Sequence, residues 1–167
     1  MNYYTKKLTW LFFITILFTS CEKEVGPLTD VKPAVPVTVS NAEAFRPEPT
    51  VTTSLSGGGA ITITLNIPST SGRTIKEITK IAASTSYSAI QGIGTNIVYY
   101  TPDPIAGTGT TATFTTSLTQ YFTKHPVSST NPAAAANTEL ARRFYFLITL
   151  DDNTVIVSEP VRVLVLS

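Results

Sequence analysis

Strict alternation of apolar and polar residues is the feature that most limits the folds open to this chain. Residues 60–67 read AITITLNI, which puts Ile and Leu on one face of an extended strand and Thr and Asn on the other. Residues 110–118 (TTATFTTSL) and 143–150 (RFYFLITL) repeat the pattern. A period of two is typical of strands that are buried on one face. The chain is therefore expected to be all-β, with sheets packed face to face.

Turn signals separate these strands from shorter ones. Further strands are expected at residues 36–40, 50–55, 96–101 and 154–166. The glycines of residues 56–59 indicate a turn rather than a phosphate loop, because no Lys-Ser/Thr pair follows them. Residues 119–137 are expected to form the longest irregular segment, and a single turn of helix is expected near residues 89–90. About seven or eight strands with no other helix indicate an antiparallel β-sandwich.

Residues 73–84 (RTIKEITKIAAS) allow two interpretations. Ile75, Ile78 and Ile81 recur at every third position, as they would on one face of a helix. The β-branched residues and the preceding turn favour a strand instead, with a bulge that resets the alternation.

The last two strands are predicted to form a hairpin around Asp151, Asp152 and Asn153. Asp and Asn tolerate the positive φ of such a turn. Their oxygens could also bind calcium, but the remaining ligands of a calcium loop are missing, so a plain turn is favoured. Pro160 is expected to kink the second strand. The side chains expected to point inward are Phe144, Phe146, Ile148, Leu150, Val161, Val163 and Val165, and those expected to point outward are Tyr145 and Arg162.

A family resemblance supports this arrangement. Residues 158–163 (SEPVRV) resemble the last strand of fibronectin type III domains, and residues 144–148 (FYFLI) stand where the penultimate strand is expected. Leu118 and Tyr121 resemble the leucine and tyrosine near the corner of that fold. The resemblance implies an immunoglobulin-like or fibronectin type III-like β-sandwich over residues 36–167. It brings no catalytic residue with it.

The N-terminal segment predicts export. Lys6 and Lys7 precede an uncharged apolar stretch at residues 8–18, and small residues follow it up to Ser20. This is the layout of a secretory signal peptide over residues 1–20. The stretch is too short for a transmembrane helix, which needs about 20 apolar residues.

Cys21 makes this signal more specific. Residues 18–21 (FTSC) resemble the lipobox of bacterial lipoproteins, which implies cleavage after Ser20 and attachment of lipid, including palmitate, to Cys21. The alternative is an ordinary signal peptide with an incidental cysteine. Cys21 is the only cysteine of the chain and therefore has no partner for an internal disulfide. Several acyl chains on one cysteine would give the stable anchoring that a single chain does not.

Residues 21–35 are interpreted as a flexible tether, because they carry mixed charges and prolines and show no periodicity. Residues 22–24 (EKE) resemble the charged stretch that helps to route some Bacteroidetes lipoproteins to the outer surface; a solvated linker is the alternative. The whole chain resembles small Bacteroidetes lipoproteins with a single Ig-like domain. This implies a lipid-anchored protein of the bacterial cell envelope, at the outer membrane, facing the periplasm or the surface.

Charge and composition exclude several functions. The chain has 12 Lys and Arg against 11 Asp and Glu, and loss of Lys6 and Lys7 with the signal peptide leaves a net charge of about −1. This balance argues against nucleic acid as a partner, since phosphate binding needs a basic patch. His125 is the only histidine and is expected to be an exposed loop residue. Without further ligands or a nucleophile motif, we expect no metal site, no cofactor and no enzyme activity.

Four tyrosines are the candidate ligand contacts: Tyr87, Tyr99, Tyr100 and Tyr121. If they cluster on one exposed face, their rings could stack on sugars; core positions and scattered surface positions are the alternative. The first expected function is an interaction module, tethered through Cys21, that binds another component of the envelope. The second is an accessory lipoprotein that binds a glycan or another ligand and works with an outer-membrane importer. Burial of Tyr99, Tyr100 and Tyr121 would argue against the second.

Overall fold

The structure, a computed structural model, describes residues 35–91, 99–101 and 103–167. The strands of these residues are β1 (Thr38–Val39), β2 (Thr50–Ser54), β3 (Ala60–Asn66), β4 (Ile75–Ser84), β5 (Ile105–Ala106), β6 (Thr111–Ser117), β7 (Thr138–Glu139), β8 (Arg143–Leu150), β9 (Val155–Val157) and β10 (Arg162–Leu166). The helical segments are a 3₁₀ turn (Ser69–Ser71), α1 (Ser88–Gln91) and α2 (Leu118–Lys124). None of the helices in the described ranges is long and apolar enough to cross a membrane.

The described strands form three sheets, with the strand orders β1-β3-β6, β2-β10-β7 and β5-β4-β8-β9. The expectation of an all-β sandwich is confirmed. The strand pairs are mainly antiparallel, as expected; β2 and β10 are the exception, since they run parallel from Arg162↔Thr50 to Leu166↔Ser54. These two strands come from opposite ends of the domain, so no tight turn has to join them and either direction is open to them.

One apolar core lies between the sheets. The Ile and Leu side chains of β3 alternate with exposed or half-exposed threonines, as predicted, and they are fully buried. Phe114 of β6 packs across the sandwich against β8, with ring centroids 5.5 Å from Phe144 and 5.8 Å from Phe146. Buried apolar surface is the main favourable term in folding, so this contact between sheets is where the domain gains much of its stability.

The prediction that residues 73–84 form a bulged strand, and not a helix, is confirmed by β4. Its pairing with β8 shifts register twice, between Ile75 and Glu77 and again between Ile78 and Lys80. Each shift adds one residue to β4, so residues three apart come to face the same side. Ile75, Ile78 and Ile81 are all buried as a result, at 2%, 1% and 0% exposure.

The C-terminal hairpin is confirmed over β8 and β9. Asn153 takes a φ of 65° in its turn, and Arg73 pairs with Asp152 at 2.5 Å and with Asp151 at 3.9 Å. The interruption expected at Pro160 is also present, because β9 ends at Val157 and β10 begins only at Arg162. β10 then runs between β2 and β7 instead of continuing along β8.

Residues 119–137 were expected to be irregular, which was wrong for residues 119–124 and is confirmed for residues 125–137, apart from one isolated bridge between Ser128 and Asn131. Leu118, expected as the last inward residue of a strand, begins α2. Ser117 caps this helix, since its Oγ accepts a hydrogen bond from the backbone N–H of Gln120 at 3.2 Å. Leu118 and Tyr121 bury the inner side of the helix. α2 therefore closes one end of the core beside β6.

Two further expectations need correction. Of the strand expected at residues 96–101, residues 96–98 lie outside the described residues and residues 99–101 are not a strand. Tyr145 does lie on the outer face of β8, but it is only 1% exposed. It packs with Ala82 and with Ile90 of α1, so the short helix covers this part of the sheet.

Candidate functional site

Five charged side chains meet on the surface where β2, β10 and β7 lie side by side, and we call them the arginine–glutamate patch. Arg46 and Glu48 come from the loop before β2, Glu139 from β7, Arg162 from the first position of β10 and Arg143 from the start of β8. β10 pairs with both neighbours, so the outward side chain of Arg162 reaches a carboxylate on either side. The sheet order therefore creates the patch.

Arg162 is the centre of this patch. Its Nε lies 2.5 Å from Oε2 of Glu48, and its Nη1 lies 2.6 Å from Oε2 of Glu139. The other oxygen of Glu139 accepts a hydrogen bond from Arg46 Nη1 at 2.9 Å. Arg143 is held more loosely, with its Nε 3.9 Å from Glu48. A shallow cleft of about 140 Å³ opens among these side chains, beside Pro47 and Thr50.

The patch carries an excess of positive charge. The hydrogen bond from Arg162 is the main reason why the pKa of Glu48 lies below its usual value. The bonds to Glu48 and Glu139 raise the pKa of Arg162 in turn. Glu48 is therefore ionised at neutral pH, and three guanidinium groups face two carboxylates. The five side chains are between 27% and 40% exposed, so an incoming group could reach them.

Two aromatic side chains of the described residues are exposed on this domain. Phe45, directly before Arg46, is 81% exposed, and Tyr87 is 40% exposed. Burial is the main cause that raises the pKa of Tyr87, and Tyr145, Glu159 and Glu48 raise it further. Arg and aromatic side chains are enriched at the centres of protein interfaces, whereas Glu is depleted there.

The four candidate tyrosines do not form one exposed face. Tyr100 and Tyr121 are 3% and 0% exposed, so these two candidates occupy core positions, the alternative to an exposed stacking face. The hydroxyl of Tyr100 lies 2.7 Å from Thr116 Oγ1. Tyr87 and Tyr99 instead flank Tyr145 on the outer face of β8. The tyrosines are thus divided between the core and the covered outer face of a sheet.

His125 is half-buried, contrary to the expectation of an exposed loop residue. Burial is the main cause that lowers its pKa, and the positive charges of Arg142 and Lys124 lower it further. The ring is therefore neutral at neutral pH. Within the described part of the chain, no three His, Cys, Asp or Glu side chains are placed to hold a metal ion. Ser20 and Cys21 lie outside the described residues.

Sequence reasoning missed the arginine–glutamate patch. It correctly placed Arg162 on the outer face, but Glu48 lies 114 positions away along the chain. No local pattern pairs residues at that distance, and only the parallel contact of β2 with β10 brings them together. No protein-family model matches the chain, and no curated protein matches it.

Proposed function

We propose that this chain is a lipid-anchored envelope protein whose Ig-like domain binds another envelope protein through the arginine–glutamate patch. The observation that carries the proposal is the excess guanidinium charge of the patch, in which Arg46 directly follows the exposed Phe45 in the chain. A guanidinium group matches a carboxylate geometrically and can bind it with two parallel hydrogen bonds. The partner is a protein segment that presents a carboxylate together with apolar side chains.

A polyanion fits the patch less well than a single carboxylate. Glu48 and Glu139 lie on either side of the central Arg162, and they would repel successive phosphate groups. Binding to nucleic acid needs several cations that neutralise phosphates along a track. Arg143 makes the longest ion pair of the patch, at 3.9 Å, and is the guanidinium best placed to turn toward a partner. The balance of charge in the patch thus favours a partner that presents one acidic side chain over a polyanion.

The strand order supports the immunoglobulin-like part of the proposal. β1-β3-β6 corresponds to the order A-B-E of such sandwiches, and β5-β4-β8-β9 places the equivalents of strands C, F and G side by side in the opposite sheet. Domains of this architecture carry many functions on unrelated surfaces. The function must therefore be argued from the patch and not from the fold.

Charge reversal at Arg143 tests the patch. In cells that express the full chain, Arg143→Glu is expected to reduce cross-linking to its envelope partner at least about tenfold, because loss of a charge-assisted contact costs about 1.4 kcal/mol or more. Quantitative mass spectrometry of cross-linked envelope proteins measures this loss. Arg73→Glu is the matched control, since Arg73 is also an arginine in ion pairs, but it precedes β4 and its partners Asp151 and Asp152 lie in the β8–β9 turn, outside the patch. The proposal would be contradicted if Arg143→Glu and Arg73→Glu were cross-linked to the same partners in equal amounts.

Replacement of Cys21 tests the anchor. Cys21→Ala is expected to abolish incorporation of labelled palmitate and to move the protein out of the membrane fraction, since the acyl chains supply the membrane affinity. Metabolic labelling and fractionation measure both effects. An inhibitor of lipoprotein signal peptidase serves as the control, because it should accumulate the precursor of the unchanged chain. A Cys21→Ala variant that still carries label and still sediments with membranes would refute the anchor.

The second expected function, an accessory protein that binds a glycan or another ligand, stays a prediction. Its proposed ring contacts are reduced to Tyr87 and Tyr99, because Tyr100 and Tyr121 do not expose their ring faces.

A further inference from the structure

A second concave site lies at the end of the sandwich where β6 meets α2. It is a cleft of about 350 Å³, which is within the size range of small-molecule sites. It shares no residue with the arginine–glutamate patch. Its lining consists of Tyr100, Thr101, Phe114, Thr115, Gln120, Thr123 and Lys124.

The elements around the cleft give it an aromatic floor and polar walls. Tyr100 and Phe114 are buried and meet edge to face, with ring centroids 5.7 Å apart. Thr115 points outward from β6. Gln120, Thr123 and Lys124 are three and four positions apart, so they share one side of α2. The chain thus brings hydroxyl, amide and ammonium groups to the rim above two rings.

A chain of hydrogen bonds holds part of this wall in place. The hydroxyl of Tyr100 lies 2.7 Å from Thr116 Oγ1, which donates to Gln120 Oε1 at 2.9 Å. These bonds leave the two N–H donors of the Gln120 amide to other partners. The buried polar atoms beneath the cleft are therefore satisfied by one another, and the outer groups can serve a ligand.

The charged groups of the lining indicate whether the ligand is an anion or a cation. Among the described residues that line the cleft, Lys124 is the only ionisable cation and none is a carboxylate. The Nζ atom of Lys124 stands 5.1 Å from the centroid of the Tyr100 ring. The attraction between a cation and an aromatic ring is modest at an exposed site. The ammonium group of Lys124 can therefore also pair with an anion that enters the cleft.

We propose that this cleft binds a small hydroxylated monocarboxylate, such as a single hexuronate ring. The ligand carboxylate pairs with Lys124 and its hydroxyl groups bond to Thr115, Thr123 and Gln120, while the buried rings of Tyr100 and Phe114 support these groups from below. A ligand with several charges is disfavoured, because one lysine supplies all the positive charge. This inference does not depend on the protein partner of the arginine–glutamate patch.

Ligand-observed NMR on the purified full chain in detergent micelles tests the site. D-glucuronate at about 10 mM is expected to show saturation transfer, with a millimolar Kd. D-glucose should show little, because it lacks the carboxylate. Lys124→Gln is expected to weaken glucuronate binding about three- to tenfold, the range for one exposed charge-assisted contact.

Lys80→Gln is the matched control. Lys80 also stands over a tyrosine ring, with its Nζ 4.9 Å from the centroid of Tyr99, but it does not line the cleft. Its loss should leave glucuronate binding unchanged. Thr115→Val, at an exposed position of β6, should weaken binding without unfolding the domain, which thermal melting checks. Absence of saturation transfer, equal transfer to glucose, or equal Kd values for Lys124→Gln and the unchanged chain would overturn the proposal.

Discussion

Replacing Phe114 by alanine is expected to lower the free energy of unfolding by about 3–5 kcal/mol, the usual cost of removing a buried Phe ring. Phe114 is 1% exposed and contacts Tyr100, Phe144 and Phe146. No neighbour can fill the space without leaving its own place, because these rings belong to different elements around the core. Urea denaturation followed by tyrosine fluorescence would measure the loss as a lower midpoint.

Phe45→Ala is the matched control for this prediction. The same ring is removed, but Phe45 is 81% exposed, so the change in unfolding free energy should stay within about 0.5 kcal/mol. Similar losses for both variants would show that Phe114 is not part of a packed core. If the slope of unfolding free energy against urea concentration is unchanged, the shift in the urea midpoint reports a change in stability alone.

The alternation in the sequence was enough to predict the all-β class and the inward faces of β3, β6 and β8. Alternation was not enough for β4, where isoleucines at every third position could have indicated a helix. The β-branched residues favoured a strand, and two bulges turn that spacing of three into one buried face. These predictions succeeded because they depend on local side-chain direction, which a strand determines without knowledge of its neighbours.

α2 was missed although the sequence contained a signal for it. Ser117 and Gln120 have the spacing of a capping box, but the alternation of the preceding residues 110–117 predicts a strand that continues through Leu118. Thr and Phe have modest helix propensity. The helix forms because Leu118 and Tyr121 can be buried there, which is tertiary information. A capping motif at the end of a predicted strand should therefore be taken as an end of that strand.

The sites could not be predicted in this way. Alternation assigns Tyr145 to the outer face but does not say that α1 covers it. Likewise, it turns Arg162 outward without naming Glu48 and Glu139 as its partners. Both facts depend on which elements become neighbours in space. The resemblance to fibronectin type III domains named Leu118 and Tyr121 but gave no information about the loop that Tyr121 holds.

Replacing Tyr121 is expected to separate the contribution of its ring from that of its hydroxyl group. The side chain is fully buried, and its hydroxyl donates to Asn131 Oδ1 at 2.8 Å and accepts from the backbone N–H of Arg142 at 3.2 Å. Tyr121→Phe leaves both partners unsatisfied, which should cost about 1–3 kcal/mol of unfolding free energy. Tyr121→Ala also removes the ring and should cost about 3–5 kcal/mol.

A double-mutant cycle tests whether this hydroxyl group organises the segment between α2 and β8. Asn131 is 2% exposed and donates from Nδ2 to the carbonyl oxygen of His125 at 2.7 Å. Tyr121 and Asn131 therefore connect the end of α2 to the start of β8. Tyr121→Phe and Asn131→Ala should show a coupling energy of about 0.5–3 kcal/mol, as residues in one hydrogen-bond network do. Tyr99→Phe, at a half-exposed ring, is the control. Strict additivity in the cycle would mean that the segment is held by apolar packing of Tyr121 alone.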